Sequence, residues 1–201
     1  MARWLEAIEL KGNLVTLAPL SLHHRDALVA AAADGKLWEL WYTSVPSEQT
    51  IDAYIKKALE DFEADKGLPF VVIDNASAAV IGSTRYFNAE GNHRRAEIGH
   101  TWYSKRAQKT GINTECKWML LNHAFANLHC GCVQFRTHWH NLASRNAIAR
   151  LGAKQDGVLR SEQIDPTGAY RDTVVFSIIE HEWPAVKQSL EYKMKRAAQQ
   201  G

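Results

Sequence analysis

The residues best placed to do chemistry lie between Arg95 and Ser144. A strand-like run, Ile98 to Tyr103, leads into a basic loop, Ser104 to Lys109, and from Gly111 the apolar residues take up helical spacing. The first amides of a helix lack internal partners and carry its positive dipole end. Amides from Lys109 to Thr114, with Lys105, Arg106 and Lys109 adding charge, therefore predict an anion site. A phosphate group is the expected ligand. Gly111 would let the backbone approach it; a simple turn with a solvated basic face is the other use of these residues.

Two further clusters invite a chemical reading. His129-Cys130-Gly131-Cys132 and His138-Trp139-His140 hold five potential metal ligands. On one continuous strand Cys130, Cys132, His138 and His140 share a face, but positions 130 and 138 would stand about 26 Å apart at ~3.3 Å per residue. Zinc ligands sit about 2.0 to 2.3 Å from the ion, so no metal site is expected. Leu37 to Tyr42 sets three aromatic rings in six residues, and Trp38, Trp41 and Tyr42 form either core or a pocket wall.

The elements that must position these groups follow from periodicity. Asn13 to Leu17 reads as a strand closed by Pro19, and Ser21 can cap a helix that stops at Asp34-Gly35. A second helix begins at Ser47 and ends near Gly67. The pattern then switches to period two: Pro69 to Ile73, a turn at Asp74-Asn75, Ala79 to Phe87, and the Ile98 strand, together an antiparallel meander. The helix from Gly111 spans about four turns, with Lys117 and Asn122 on its polar face. Cys132 to Trp139 is a strand and Leu142 to Leu151 a helix stopped by Gly152. Strands Lys154 to Leu159 and Tyr170 to Ile179 flank a turn at Asp165-Pro166-Thr167-Gly168. The tail, Trp183 to Gln200, reads as a solvated helix.

Composition adds limits. With 201 residues and 46% hydrophobic content, one domain over 1–201 with its core at about 14–179 is expected. A net charge of +2 demands neither nucleic acid nor an anionic membrane as partner. The opening MARWLEAIELKG lacks a signal-peptide core and no apolar run approaches membrane-spanning length, so a cytoplasmic location is expected. Cys116, Cys130 and Cys132 read as thiols.

The order of elements, with Gln108-Lys109-Thr110-Gly111-Ile112-Asn113 at the loop and Asn141-Leu142-Ala143-Ser144 after the next strand, resembles the GNAT superfamily of acyl-CoA-dependent N-acetyltransferases. Ala96-Glu97-Ile98-Gly99-His100-Thr101-Trp102 and the later Leu151-Gly152-Ala153 are similar to the RimJ/RimL branch. The resemblance covers Leu14 to Ile179. It implies an α+β GNAT fold, a mostly antiparallel twisted sheet of about seven strands flanked by helices. It also implies acetyl transfer from acetyl-CoA to a primary amine, a protein N-terminus or a small amine.

By the same resemblance Gln108, Lys109, Thr110, Gly111, Ile112, Asn113 and Thr114 hold the pyrophosphate, and Thr101, Trp102 and Tyr103 lie beside the pantetheine arm. Asn113 departs from the family loop, which has a small residue there. Glu97 would be the general base through water, Ser144 the acid toward sulfur, and Asn141 a pantetheine contact. Trp38, Trp41 and Tyr42 would border the amine, and a homodimer is common in the branch. Structural alternatives stand beside each: Glu97 paired with Arg85, Arg94 or Arg95, Ser144 or Asn141 as helix cap, and His100 or Tyr103 as proton carrier. A non-catalytic acyl-CoA-binding module is the second functional reading. A nucleic-acid patch of Arg94, Arg95, Lys105, Arg106 and Lys109 is the third.

Overall fold

Strands that alternate between two buried faces need helices on both sides. The structure is a computed structural model and describes residues 3–165 and 167–199. In chain order the elements are β1 (Leu10–Lys11), β2 (Val15–Pro19), α1 (Arg25–Ala33), α2 (Ile51–Glu63), β3 (Leu68–Asp74), β4 (Val80–Glu90) and β5 (Arg95–Tyr103). Then follow α3 (Ile112–Ala126), β6 (Cys132–His138), α4 (Leu142–Leu151), β7 (Lys154–Ile164), β8 (Tyr170–Ile179) and α5 (Trp183–Ala198). The strands form one sheet in the order β1-β2-β3-β4-β5-β6-β8-β7. Every neighbouring pair is antiparallel except β5 and β6, which α3 connects as a parallel crossover. The eighth strand beyond the expected seven is β1, whose two residues are too short to show a period. The Pro166 position of the last turn and Gln200 of the tail lie outside the described residues.

One face is covered by α3, α4 and α5 over Ala96, Ile98, Val133, Phe135 and Ile178. The other is covered by α1 and α2, whose Leu28, Ile51 and Ile55 pack on Val71 and Trp102. Two sequence expectations fail here. The tail is not a solvated helix: α5 buries Trp183, Val186 and Leu190, and Trp183 stacks on Phe125 of α3 with centroids 5.2 Å apart. Lys117 is not on a polar face but buried beneath α3, because α3 is covered by the sheet on one side and α5 on the other and has little polar face to offer. No helix among the described residues is long and apolar enough to cross a membrane.

Two irregularities shape the centre of the sheet. Opposite β4, the register passes from Ser83↔Trp102 to Arg85↔Gly99, so β5 carries an extra residue at a bulge. His100 there adopts a left-handed φ of 48°. Opposite β6, pairing holds only for Arg95↔Cys132, Ala96↔Val133 and Glu97↔Gln134. Both strands run on, to Tyr103 and His138, so they splay into a V with Glu97 at its apex.

Candidate active site

The loop between β5 and α3 is held by its own side chains. Gln108 Nε2 donates to the Tyr103 carbonyl (2.9 Å), Thr110 Oγ1 to the Ala107 carbonyl (2.7 Å), and the Ile112 amide to Thr110 Oγ1 (3.3 Å). The first helical bond of α3 runs from the Glu115 amide to the Gly111 carbonyl, 3.1 Å. Among the described residues the amides of Gly111, Asn113 and Thr114 therefore have no acceptor. Lys105, Arg106 and Lys109 are exposed around them and form no salt bridge among the described residues. Gly111 has φ −68°, open to any residue, so its lack of a side chain serves proximity: a Cβ would lie 3.1 Å from Leu14. The left-handed residue of the loop is Lys109, φ 60°.

What fixes the start of α3 is a carboxylate. Buried Glu115 accepts the amides of Asn13 (2.9 Å), Leu14 (2.8 Å) and Val15 (3.0 Å). Gly12 admits it, since a Cβ there would overlap Glu115 Oε2. The β1–β2 turn is thereby clamped to the first turn of α3.

At the apex, Glu97 is buried at 3% exposure. Its Oε1 accepts Asn88 Nδ2 at 3.1 Å and pairs with Arg136 Nε at 3.1 Å, while Oε2 has no partner among the described residues. Arg136 in turn holds Glu162, 2.8 Å. The expected partners Arg85, Arg94 and Arg95 do not reach it; Arg95 pairs with Glu90 (2.7 Å). The reason is register, because Gln134 faces Glu97 and Arg136 follows two residues on, on the same face of β6. Burial pushes the Glu97 carboxyl above the usual carboxylate range, with Asn88 and Arg136 opposing.

The two alternative proton carriers sit in different surroundings. His100 is pushed down to about 4, by loss of water around the ring and by the Arg85 charge, although its outer edge meets solvent. It packs edge-on against Phe87, 4.9 Å between centroids. The Tyr103 hydroxyl is buried beneath α3 and held protonated by that burial, well above its ordinary value. The bulge sends Thr101 to the α3 face, where Lys117 Nζ donates to its hydroxyl (2.5 Å) and to that of Thr84 (3.4 Å). Trp102 points the other way and donates to Tyr54 Oη at 3.4 Å.

At the far end of β6, Asn141 caps α4: its Oδ1 accepts the Ser144 amide at 3.0 Å. Ser144 is thus the third residue of the helix, and a capping role for its hydroxyl is excluded. Trp41 lies over this end of the V, 5.0 Å from the His138 ring and 5.7 Å from that of His140, with Tyr42 5.6 Å away. Trp38 and Trp41 are exposed rather than core. Beside Asn88 a cavity of about 340 Å³ opens between α2 and strands β4 and β5. A smaller one, about 200 Å³, lies between β1 and α3 and touches no residue of β5.

The structure therefore carries Glu97 and Thr101–Tyr103 on β5, the loop at the end of that strand, and Asn141 and Ser144 just beyond β6, the strand paired with β5. Sequence reasoning missed Asn88, Arg136 and Lys117. Strand alternation could have placed Arg136 on a face, but only the pairing register joins it to Glu97, and Asn88 reaches Glu97 from an irregularity after Phe87 where its φ is 45°.

Comparison with known proteins gives the same fold. The family model described as an acetyltransferase (GNAT) domain matches residues 15–154. A structure from T. thermophilus described as an acetyltransferase is 31% identical, with TM-score 0.81 over 94% of this chain and 98% of that one. A GCN5-related N-acetyltransferase from Brucella melitensis is 28% identical, with TM-score 0.83 over 94% and 86%. Mycobacterium smegmatis RimJ in complex with CoA-disulfide shares the fold at 22% identity and TM-score 0.75, over 89% and 88%. No curated protein matches the sequence.

Proposed function

Because the chain belongs to the GNAT acetyltransferase family and is an N-acetyltransferase, we propose that it moves the acetyl group of acetyl-CoA to a primary amine, a protein N-terminus or a small amine, in the V between β5 and β6. The observation that carries this reading is a buried carboxylate with one free oxygen, Glu97, at the apex of the splayed strands. The free amides of Gly111, Asn113 and Thr114 and the cations Lys105, Arg106 and Lys109 fit a pyrophosphate. These amides lack an acceptor among the described residues with Asn113 in place. The β5 backbone from Thr101 to Tyr103 would run beside the pantetheine arm, which supplies the thioester.

In this reading Glu97 takes a proton from the incoming ammonium through water, the amine nitrogen attacks the thioester carbonyl carbon, and the carbon–sulfur bond breaks. The Ser144 hydroxyl gives its proton to the departing sulfur and is reprotonated by the second proton that the nitrogen sheds as it becomes the amide. Calorimetric titration with acetyl-CoA, against CoA and adenosine diphosphate, tests the cofactor site, and CoA release with a panel of amines and N-terminal peptides tests transfer. One-site binding followed by release is expected. No binding at millimolar acetyl-CoA would sink the site, and binding without release from any amine would leave a non-catalytic acyl-CoA-binding module.

A further inference from the structure

Among the described residues Arg85 has no counter-anion. It lies on the α1/α2 face of β4, only 4% exposed, yet forms no salt bridge and donates no side-chain hydrogen bond among the described residues; its Nε is fully enclosed without a partner. Its guanidinium carbon lies 4.7 Å from the centre of the Tyr54 ring. A guanidinium withdrawn from water without an acceptor is costly, and its planar fork matches a carboxylate. The group faces the cavity of about 340 Å³, a volume suited to a small molecule.

The rest of the lining points the same way. Lys57 and Lys66 join Arg85 against a single carboxylate, Asp61, which Lys57 already holds at 2.7 Å. The Phe87 ring supplies an apolar wall, lying across Gly99, where a Cβ would come within 2.5 Å of it. The cavity stops one residue short of the proposed base. Asn88 lines it and donates to Glu97. In the β4–β5 register Arg85 faces Gly99 and Phe87 faces Glu97, so Arg85 and Glu97 are diagonal neighbours on one face, about 7–8 Å apart at the backbone.

We propose that Arg85 binds an anionic group of the acceptor, so that the amine presented to Glu97 belongs to a small aminocarboxylate. This deepens the transferase reading and rests on it for the identity of the site. A chain of a few bonds between amine and carboxylate fits the spacing of the two residues.

The test separates binding from transfer. Acetyl-CoA-loaded protein is heated with glycine, 3-aminopropanoate and 4-aminobutanoate, with their methyl esters, and with 3-aminopropylphosphonate. At least one carboxylate should raise the melting temperature above its ester, and Arg85→Met should abolish that difference while binding acetyl-CoA as before. Arg85→Met removes an unpaired buried charge, so the variant should melt no lower than the wild type. In turnover, Arg85→Met should raise KM for the preferred carboxylate 10-fold or more with a smaller change in kcat. Esters that match the acids, or discrimination that survives in Arg85→Met, would overturn the proposal. A phosphonate preferred over every carboxylate would overturn the carboxylate assignment. Carboxylate binding at Arg85 without acetyl transfer to any of these amines would overturn the acceptor assignment, whereas failure with the wider amine and peptide panel as well would bear on the transferase reading itself.

Discussion

At the level of single residues, Glu97 is caught between two opposing influences. Burial raises its pKa, while Asn88 and Arg136 pull it down. A general base works deprotonated, so turnover should fall as pH drops through that raised pKa, above the ~4.3 of an unperturbed glutamate. Glu97→Gln should lower kcat by about 10²-fold or more and remove this acid limb, with acetyl-CoA affinity retained. Arg136→Met should move the limb upward, because it deletes one of the influences holding the carboxylate charged. A pH–kcat profile of all three proteins checks both; undiminished turnover in Glu97→Gln would remove it as the base. Ser144 and Asn141 separate in a similar way. Since Asn141 caps α4, Asn141→Ala should cost about 1 kcal/mol in urea unfolding, whereas Ser144→Ala should leave stability nearly unchanged and lower kcat. Unchanged kcat in Ser144→Ala would end its role as acid.

At the level of elements, the N-terminus of α3 serves as a binding surface only if the helix is held where it is. Glu115 does this by accepting three amides of the β1–β2 turn, and the contact spans about a hundred residues of sequence. Hydrogen bonds to a buried charged group are each worth about 1.5–3 kcal/mol, and losing the acceptor strands three donors at once. Glu115→Ala should therefore destabilise the protein by about 2–4 kcal/mol and weaken acetyl-CoA binding, read by urea unfolding and calorimetry. A loss of stability with full cofactor affinity would show that the clamp supports the fold without shaping the loop. The helix pattern itself was legible from Gly111 onward, but not what α3 would bury. Lys117 looked like a polar-face residue because periodicity reports one apolar stripe, and α3 is covered from two sides.

Across the whole molecule, Lys117 makes stability depend on pH. Burial without a carboxylate partner lowers its pKa from 10.5 to about 8. Between those values the unfolded chain binds more protons than the native one, so stability rises with pH there; below about pH 8 the native state carries a penalty of roughly 3 kcal/mol. Lys117→Met should raise the urea midpoint at pH 7, and its advantage should shrink toward pH 10. A variant less stable than wild type at pH 7 would show that the bonds to Thr84 and Thr101 outweigh the buried charge. What the sequence determined by itself were the features set by neighbours along the chain: the meander, the loop before α3, the α4 boundaries at Leu142 and Leu151, and a GNAT resemblance that spanned them in order. Tertiary structure alone decided which strand would lie beside β5 and where that pairing would stop. That choice gave Glu97 its arginine, opened the V, and left Arg85 without an acceptor. Strand register and helix docking are contacts between residues far apart in sequence, and no local period encodes them.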